Sequence, residues 1–473
     1  MTARSDAPIP LRAANLDAIG ALDVPTPRYE RNALVPRILH LGVGGFHRAH
    51  MALYTEEAAA DGGDWGIRGA GLLNADRRIA DVLRAQDHLY TLIERDSNGS
   101  KARIVGSIVD YTFAAGDGNA FARRLADPQV AILSLTITEG GYSLTGGNST
   151  IEAVVAGLEA RRAGRASPLT ILSCDNVPGN GDTARAAIVA LAERHGVELV
   201  RYVEACTFPN SMVDRITPQT EEVDRKWLQD EIGVDDAWPV VCEPFRQWVI
   251  EDRFAAGRPR WEEAGVLFTD RVHDWELYKL RMLNASHSCM AYLTALAGVT
   301  YVDEAMNIPA LRRYLERFLA KEAIPALAEI AGYPAAEYAR TTLARFANNG
   351  VRDQIARLCI DGTAKFPIFV IPTVERQLEL DGSVDCAALA LAAWARYLAT
   401  TPPAERAHDA QSDRATAFAV RSLEEPLSFL DFKDVFTPAL RDSSRFRETF
   451  AEASGDLERR GSVGAIERVL RAD

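Results

Sequence analysis

Three side chains in the stretch Lys279-Leu280-Arg281-Met282-Leu283-Asn284-Ala285-Ser286-His287 have the chemistry to move a proton off a hydroxyl. Leu277, Leu280, Leu283, Met290, Leu293 and Leu296 recur at helical spacing. At about 100° per residue, such a helix puts Lys279, Asn284 and His287 within an arc of roughly 140°. An amine on that arc can accept the proton, while a neutral amide and an imidazole hold the oxygen that becomes negative. A plainer account treats them as a solvated surface lysine, a capping asparagine and a half-buried ring. Lysine usage tilts the balance. Only Lys101, Lys226, Lys279, Lys321, Lys365 and Lys433 occur among 53 basic residues, so arginine is this chain's default cation. Burial can bring a lysine into the working range of a general base, whereas arginine stays charged.

The elements that must position these groups follow from the rest of the chain. Its 473 residues suggest two to three domains. With 47% apolar and 25% charged residues it has an ordinary globular composition. The net charge of -13 argues against a nucleic-acid partner, which needs a basic surface. No run of eighteen apolar residues and no signal-peptide core at the N-terminus is present, so a cytoplasmic, membrane-free protein is expected. Cys174, Cys206, Cys242, Cys289, Cys359 and Cys386 are dispersed, with no Cys-x-x-Cys pair. Neither a disulfide framework nor a metal site is expected.

Residues 1–35 read as an irregular Pro-rich arm. Arg37 to Leu41 then forms a short buried strand running into Gly42-Val43-Gly44-Gly45-Phe46-His47 and a helix from Arg48 to about Ala60. A glycine turn between strand and helix suits a dinucleotide pyrophosphate. Gly42 and Gly44 fill the first two fingerprint positions and His47 the third, so a simple tight turn also fits. A second strand, Trp65 to Leu73, ends at Asn74-Ala75-Asp76. Asp76 there can bind ribose hydroxyls and repel a 2′-phosphate, or simply cap the next helix.

Strand-like runs follow at His88–Glu94, Arg103–Phe113, Val130–Thr138 and Leu169–Ser173, with helical patterns near 118–125, 150–163 and 182–194. This alternation predicts a parallel or mixed sheet covered by helices. Two strands end in polar clusters, Thr136 to Gly141 and Ser173 to Pro178, at the carboxyl edge where such folds bind ligands. Asp175 and Asn176 also suit a turn before Pro178. Residues 209–218 read as a stiff loop between prolines. Beyond 272 helical patterns dominate, so the expected organisation is a dinucleotide-binding α/β Rossmann-type domain at 1–272 and a mainly α-helical substrate domain at 273–473. Residues 400–415 read as a polar loop and the last thirty as surface helices.

Several of these segments together resemble the mannitol dehydrogenase family of polyol-specific long-chain dehydrogenases. They are residues 38–50, Leu135 to Tyr142, Ser173 to Asn176, Pro209 to Pro218, Val240 to Phe245 and Lys279 to His287. The resemblance spans roughly residues 36–440. It implies metal-independent, NAD-dependent oxidation of a polyol, D-mannitol to D-fructose, by a monomer. It implies Lys279 as general base, Asn176 and Asn284 as oxyanion-stabilising amides and His287 as a substrate-orienting ring. Asp214, Arg357 and Lys365 are implied to contact substrate hydroxyls, and Glu139 to gate a proton path. Gly42, Gly44, Gly45, Phe46 and Asp76 are implied to bind the coenzyme. Within the family, oxidation of D-arabinitol at C4 and reduction of fructuronate compete with this assignment. Outside it stands a nucleotide-binding regulatory protein that has lost its chemistry, against which the intact Lys279, Asn284, His287 and Asn176 argue.

Overall fold

The computed structural model describes residues 7–143 and 149–471, and its first unit, Met1–His273, is built on the strand Val35–Leu41 (β1). Trp65–Gly71 (β2), Ile108–Phe113 (β3), Ile132–Leu135 (β4) and Thr170–Ser173 (β5) complete a parallel sheet in the order β3-β2-β1-β4-β5. Strand order reverses between β1 and β4, and this switch point is where a Rossmann-type sheet opens a crevice at its carboxyl edge.

Alternate residues explain why the strands read as continuous apolar runs. Ile38 and Ile132 enter one core with Ala52 and Leu53 of the helix Met51–Ala60. Leu39 and Leu133 enter the other, with Phe121, Leu158 and Ile188 from the helices Gly118–Leu125, Ser149–Ala163 and Asn180–Ala192. A sheet covered on both faces has no polar face to alternate with.

Three expectations for this unit need correction. The run 103–113 is two strands in different sheets: Gly99–Val105 pairs with Tyr90–Asp96, whereas β3 joins the parallel sheet. The break at Gly106 is held by side chains, since its N–H donates to Glu56 (2.8 Å) and its carbonyl accepts from Arg31 (3.1 Å). Residues 209–218 contain a strand, Ser211–Asp214, antiparallel to Gln247–Ile250. The N-terminal arm is ordered where Ile9–Pro10 pairs with Val234–Asp235. All three depend on partners distant in sequence.

The second unit, Asp274–Asp473, is helical. Its central helix, Asp385–Thr400, is almost wholly buried and packs against Ala285–Leu296 and Ser444–Leu470. The C-terminal helix lies at the surface as expected, with one face packed into this core. Phe446, Phe450, Leu457 and Ile466 are buried, and the helix kinks at Gly461, whose φ of 68° suits glycine. Just past the kink, Ser462 donates to the carbonyl of Leu293 (2.5 Å). The 400–415 segment holds a short 3-10 turn, Pro403–Glu405, and the start of the helix Ser412–Arg421. Among the described residues no helix is long and apolar enough to cross a membrane.

Candidate active site

At the end of β1 the backbone crowds the neighbouring strand. A Cβ on Gly42 would lie 2.2 Å from the carbonyl oxygen of Thr136, and its φ is 99°. Only glycine fits there. The Thr136 hydroxyl donates to the Gly42 carbonyl (2.6 Å), so the turn is tied to β4's extension. Gly44 precedes the short helix Gly45–Ala49, and Phe46 stacks on His50 at 4.9 Å.

The third fingerprint position has a clear tenant. His47 is buried and stacks on His40 of β1 at 3.4 Å, so an imidazole fills the space between strand and helix. His40 points to this face because it shares parity with Ile38. Burial pushes the pKa values of His40 and His50 down to about 3, and that of His47 well below the ordinary range. The three rings are neutral.

Asp76 lies in the 3-10 turn Asn74–Asp76 after β2, and its Oδ2 accepts from the Leu73 N–H (2.9 Å). The carboxylate thus braces the turn with one oxygen, and the other has no hydrogen-bond partner among the described residues. Asp175 is a structural clamp. It accepts from the N–H groups of Ile137 (3.1 Å) and Thr138 (2.7 Å) and from the Tyr142 hydroxyl (2.6 Å), joining the ends of β4 and β5. Its neighbour Asn176 is exposed. Glu139 begins the 3-10 turn Glu139–Tyr142, and its side chain lies outside the described residues. Asp214 is buried in the sheet unit, and its charge acts on His50 and Tyr54.

In the helical unit, Lys279–Asn284 is a π-helical turn between the α-helices Val272–Tyr278 and Ala285–Leu296. This corrects the uniform 100° spacing. Pairing of i with i+5 brings residues five apart toward one face, and Lys279 and Asn284 are five apart. Lys279 is 9% exposed and Asn284 8%. His287 follows one α-helical turn after Asn284 and stacks on Phe346 at 4.2 Å. Its Nε2 has no hydrogen-bond partner among the described residues, and burial holds its pKa down at about 3. It is a neutral ring with an unused polar atom, suited to a hydroxyl.

Arg357 and Lys365 lie close enough to His287 for their charges to act on it. Arg357 is on the short helix Ile355–Leu358 and grips Asp353 with both Nε (2.6 Å, to Oδ1) and Nη2 (to Oδ2). Lys365 donates to the Leu358 carbonyl (3.2 Å) from the helix Gly362–Phe369, and burial followed by the Arg357 charge lowers its pKa. Arg281, inside the π-turn, donates to the carbonyls of Ile368 and Phe369 and so ties this helix to the Lys279 turn.

Sequence reasoning missed Asp353, Arg281 and the His40–His47 stack. The four-residue spacing of Asp353 and Arg357 was a usable signal. Among the described residues no group of three or more His, Cys, Asp or Glu side chains is arranged to hold a metal ion.

Comparison with known proteins covers both units. Residues 36–263 match a model of the mannitol dehydrogenase Rossmann domain and 271–458 that of the mannitol dehydrogenase C-terminal domain. A mannitol 2-dehydrogenase of Phaeosphaeria nodorum is 38% identical over 97% of this chain and 85% of its own length. The Pseudomonas fluorescens mannitol 2-dehydrogenase, solved as a ternary complex with NAD and D-mannitol, superposes with a TM-score of 0.87. It is 37% identical, covering 98% of this chain and all of that one. A substrate-free D-sorbitol dehydrogenase also gives 0.87, at 32% identity over 97% of this chain and 100% of its own.

Proposed function

The chain belongs to the mannitol dehydrogenase family, and from that premise we propose that it oxidises D-mannitol to D-fructose with NAD and without a metal. The observation that carries this reading is the likeness of both units, over nearly their whole length, to a mannitol 2-dehydrogenase solved with NAD and D-mannitol. The coenzyme cradle fits: the turn at Gly42 admits no side chain, and Asp76 keeps one carboxylate oxygen open to a ribose hydroxyl. Gly42, Gly44, Gly45 and Phe46 would hold the pyrophosphate side. NAD supplies the hydride acceptor when bound.

The chain's own residues do the rest. Lys279 accepts the proton of the reacting hydroxyl, and the amides of Asn284 and Asn176 donate to the oxygen as its charge develops. His287 orients that hydroxyl through Nε2. Its neutrality supports the role, since an imidazolium would offer no acceptor. Arg357, Lys365 and Asp214 bind the remaining hydroxyls, and Glu139 gates the proton's way out from Lys279. On this reading the protein is a cytoplasmic monomer, and light scattering on the purified chain tests the monomer.

NADH formation is measured with D-mannitol, D-arabinitol, D-sorbitol, D-mannonate and mannitol 1-phosphate, with a chelator present. D-mannitol is expected to give the highest kcat/KM, unaffected by the chelator. Faster turnover of the acid or the phosphate ester overturns the neutral-polyol reading, and loss of activity with the chelator overturns metal independence.

A further inference from the structure

Arg357, Lys365 and Asp353 all act on the His287 ring. A guanidinium near a site for uncharged hydroxyls would favour a carboxylate ligand, because its fork matches a carboxylate at two points. Asp353 already occupies one of the two bidentate edges of Arg357. Arg357 gives it Nε and Nη2, leaving Nη1 outside the pair.

The acid is the fixed member. Its side chain is 11% exposed against 58% for that of Arg357, and its carbonyl accepts from the Val302 N–H (2.9 Å). We propose that Asp353, by holding Arg357 in a two-point ion pair, makes the site of the helical unit selective for a neutral polyol against a sugar acid. This rests on the polyol reading above. An arriving carboxylate finds only the Nη1 edge of a guanidinium whose charge Asp353 already meets, and it faces a like charge there. A hydroxyl needs only one donor, and Nη1 supplies it. Selectivity then comes from a repulsive element as much as an attractive one.

The test compares kcat/KM for D-mannitol and D-mannonate, which differ at one terminal carbon, in wild type, Asp353→Asn and Asp353→Glu. Asp353→Asn should move the ratio toward mannonate by tenfold or more, chiefly through KM, and the new mannonate KM should rise with salt. Asp353→Glu should keep the wild-type preference, since it keeps the charge. Asp353→Ser makes the same charge change if Asn is not tolerated. An equal loss on both substrates, or identical behaviour of the Glu and Asn variants, overturns the proposal and leaves the polyol reading standing. A wild type that prefers mannonate overturns the polyol reading itself.

Discussion

Lys279 carries the proposed chemistry as a buried amine, which can take up a proton where a guanidinium cannot. A positioned base contributes about 10²- to 10⁴-fold, so Lys279→Ala should lower mannitol oxidation by that order while NADH binding persists. Lys279→Arg should not rescue it, because a guanidinium releases no proton near neutral pH. The acidic limb of the kcat/KM profile should vanish in the alanine variant, since an ammonium cannot accept a proton. His287 adds no limb near neutrality, because burial keeps its pKa at about 3. An alanine variant with wild-type turnover and the same limb would make Lys279 a bystander. Asp76 is separable from all this. Asp76→Ala should raise NADP use relative to NAD by removing a like charge from the 2′ position. An unchanged coenzyme ratio means that the carboxylate only braces the Leu73 turn.

At the scale of elements, the π-turn sets where Lys279 points. One extra residue in the Lys279–Asn284 turn changes the angle between Lys279 and everything after it. Deleting Met282 should restore α-helical pairing and rotate Lys279 by about 100° relative to His287. Turnover should then fall about as far as in Lys279→Ala, with helical content and NADH binding near wild type. Retained activity would mean that the turn is incidental. Arg281 gives the same turn a second duty, because its bonds to the Ile368 and Phe369 carbonyls tie the Lys365 helix to it.

At the scale of the sheet unit, the buried histidines link stability to pH. Folded values near or below 3 lie beneath the unfolded value of about 6.5, so the unfolded chain binds more protons as pH falls through that window. Stability is therefore full above pH 6.5 and is lost on acidification, by ~1.4 kcal/mol per pH unit for each ring. Glu56 and Asp236, buried with raised pKa values, work in the opposite sense and reduce the net slope. The urea midpoint should drop between pH 7 and pH 5. His47→Phe removes one titrating ring, neither of whose nitrogens has a partner among the described residues, and should flatten that dependence. An identical slope in wild type and variant would remove His47 from the account.

What was legible in the sequence was whatever repeats at short range. The apolar run before Gly42, the change to helical spacing after 272 and the types of residue in the Lys279 stretch all follow from local chemistry, and they suffice for a Rossmann-type sheet followed by helices. The tertiary structure decided what depends on distant partners. Residues 103–113 look like one strand until Arg31 and Glu56 claim the backbone of Gly106. Residues 209–218 look like a loop until Gln247–Ile250 pairs with Ser211–Asp214. The apolar spacing tolerates one added residue without losing its face, so it could not report the π-turn. Nor could it report that His287 is neutral or that Arg357 is already gripped by Asp353. A residue's type sets which charges and bonds are available to it, but burial and neighbours set which of them are used.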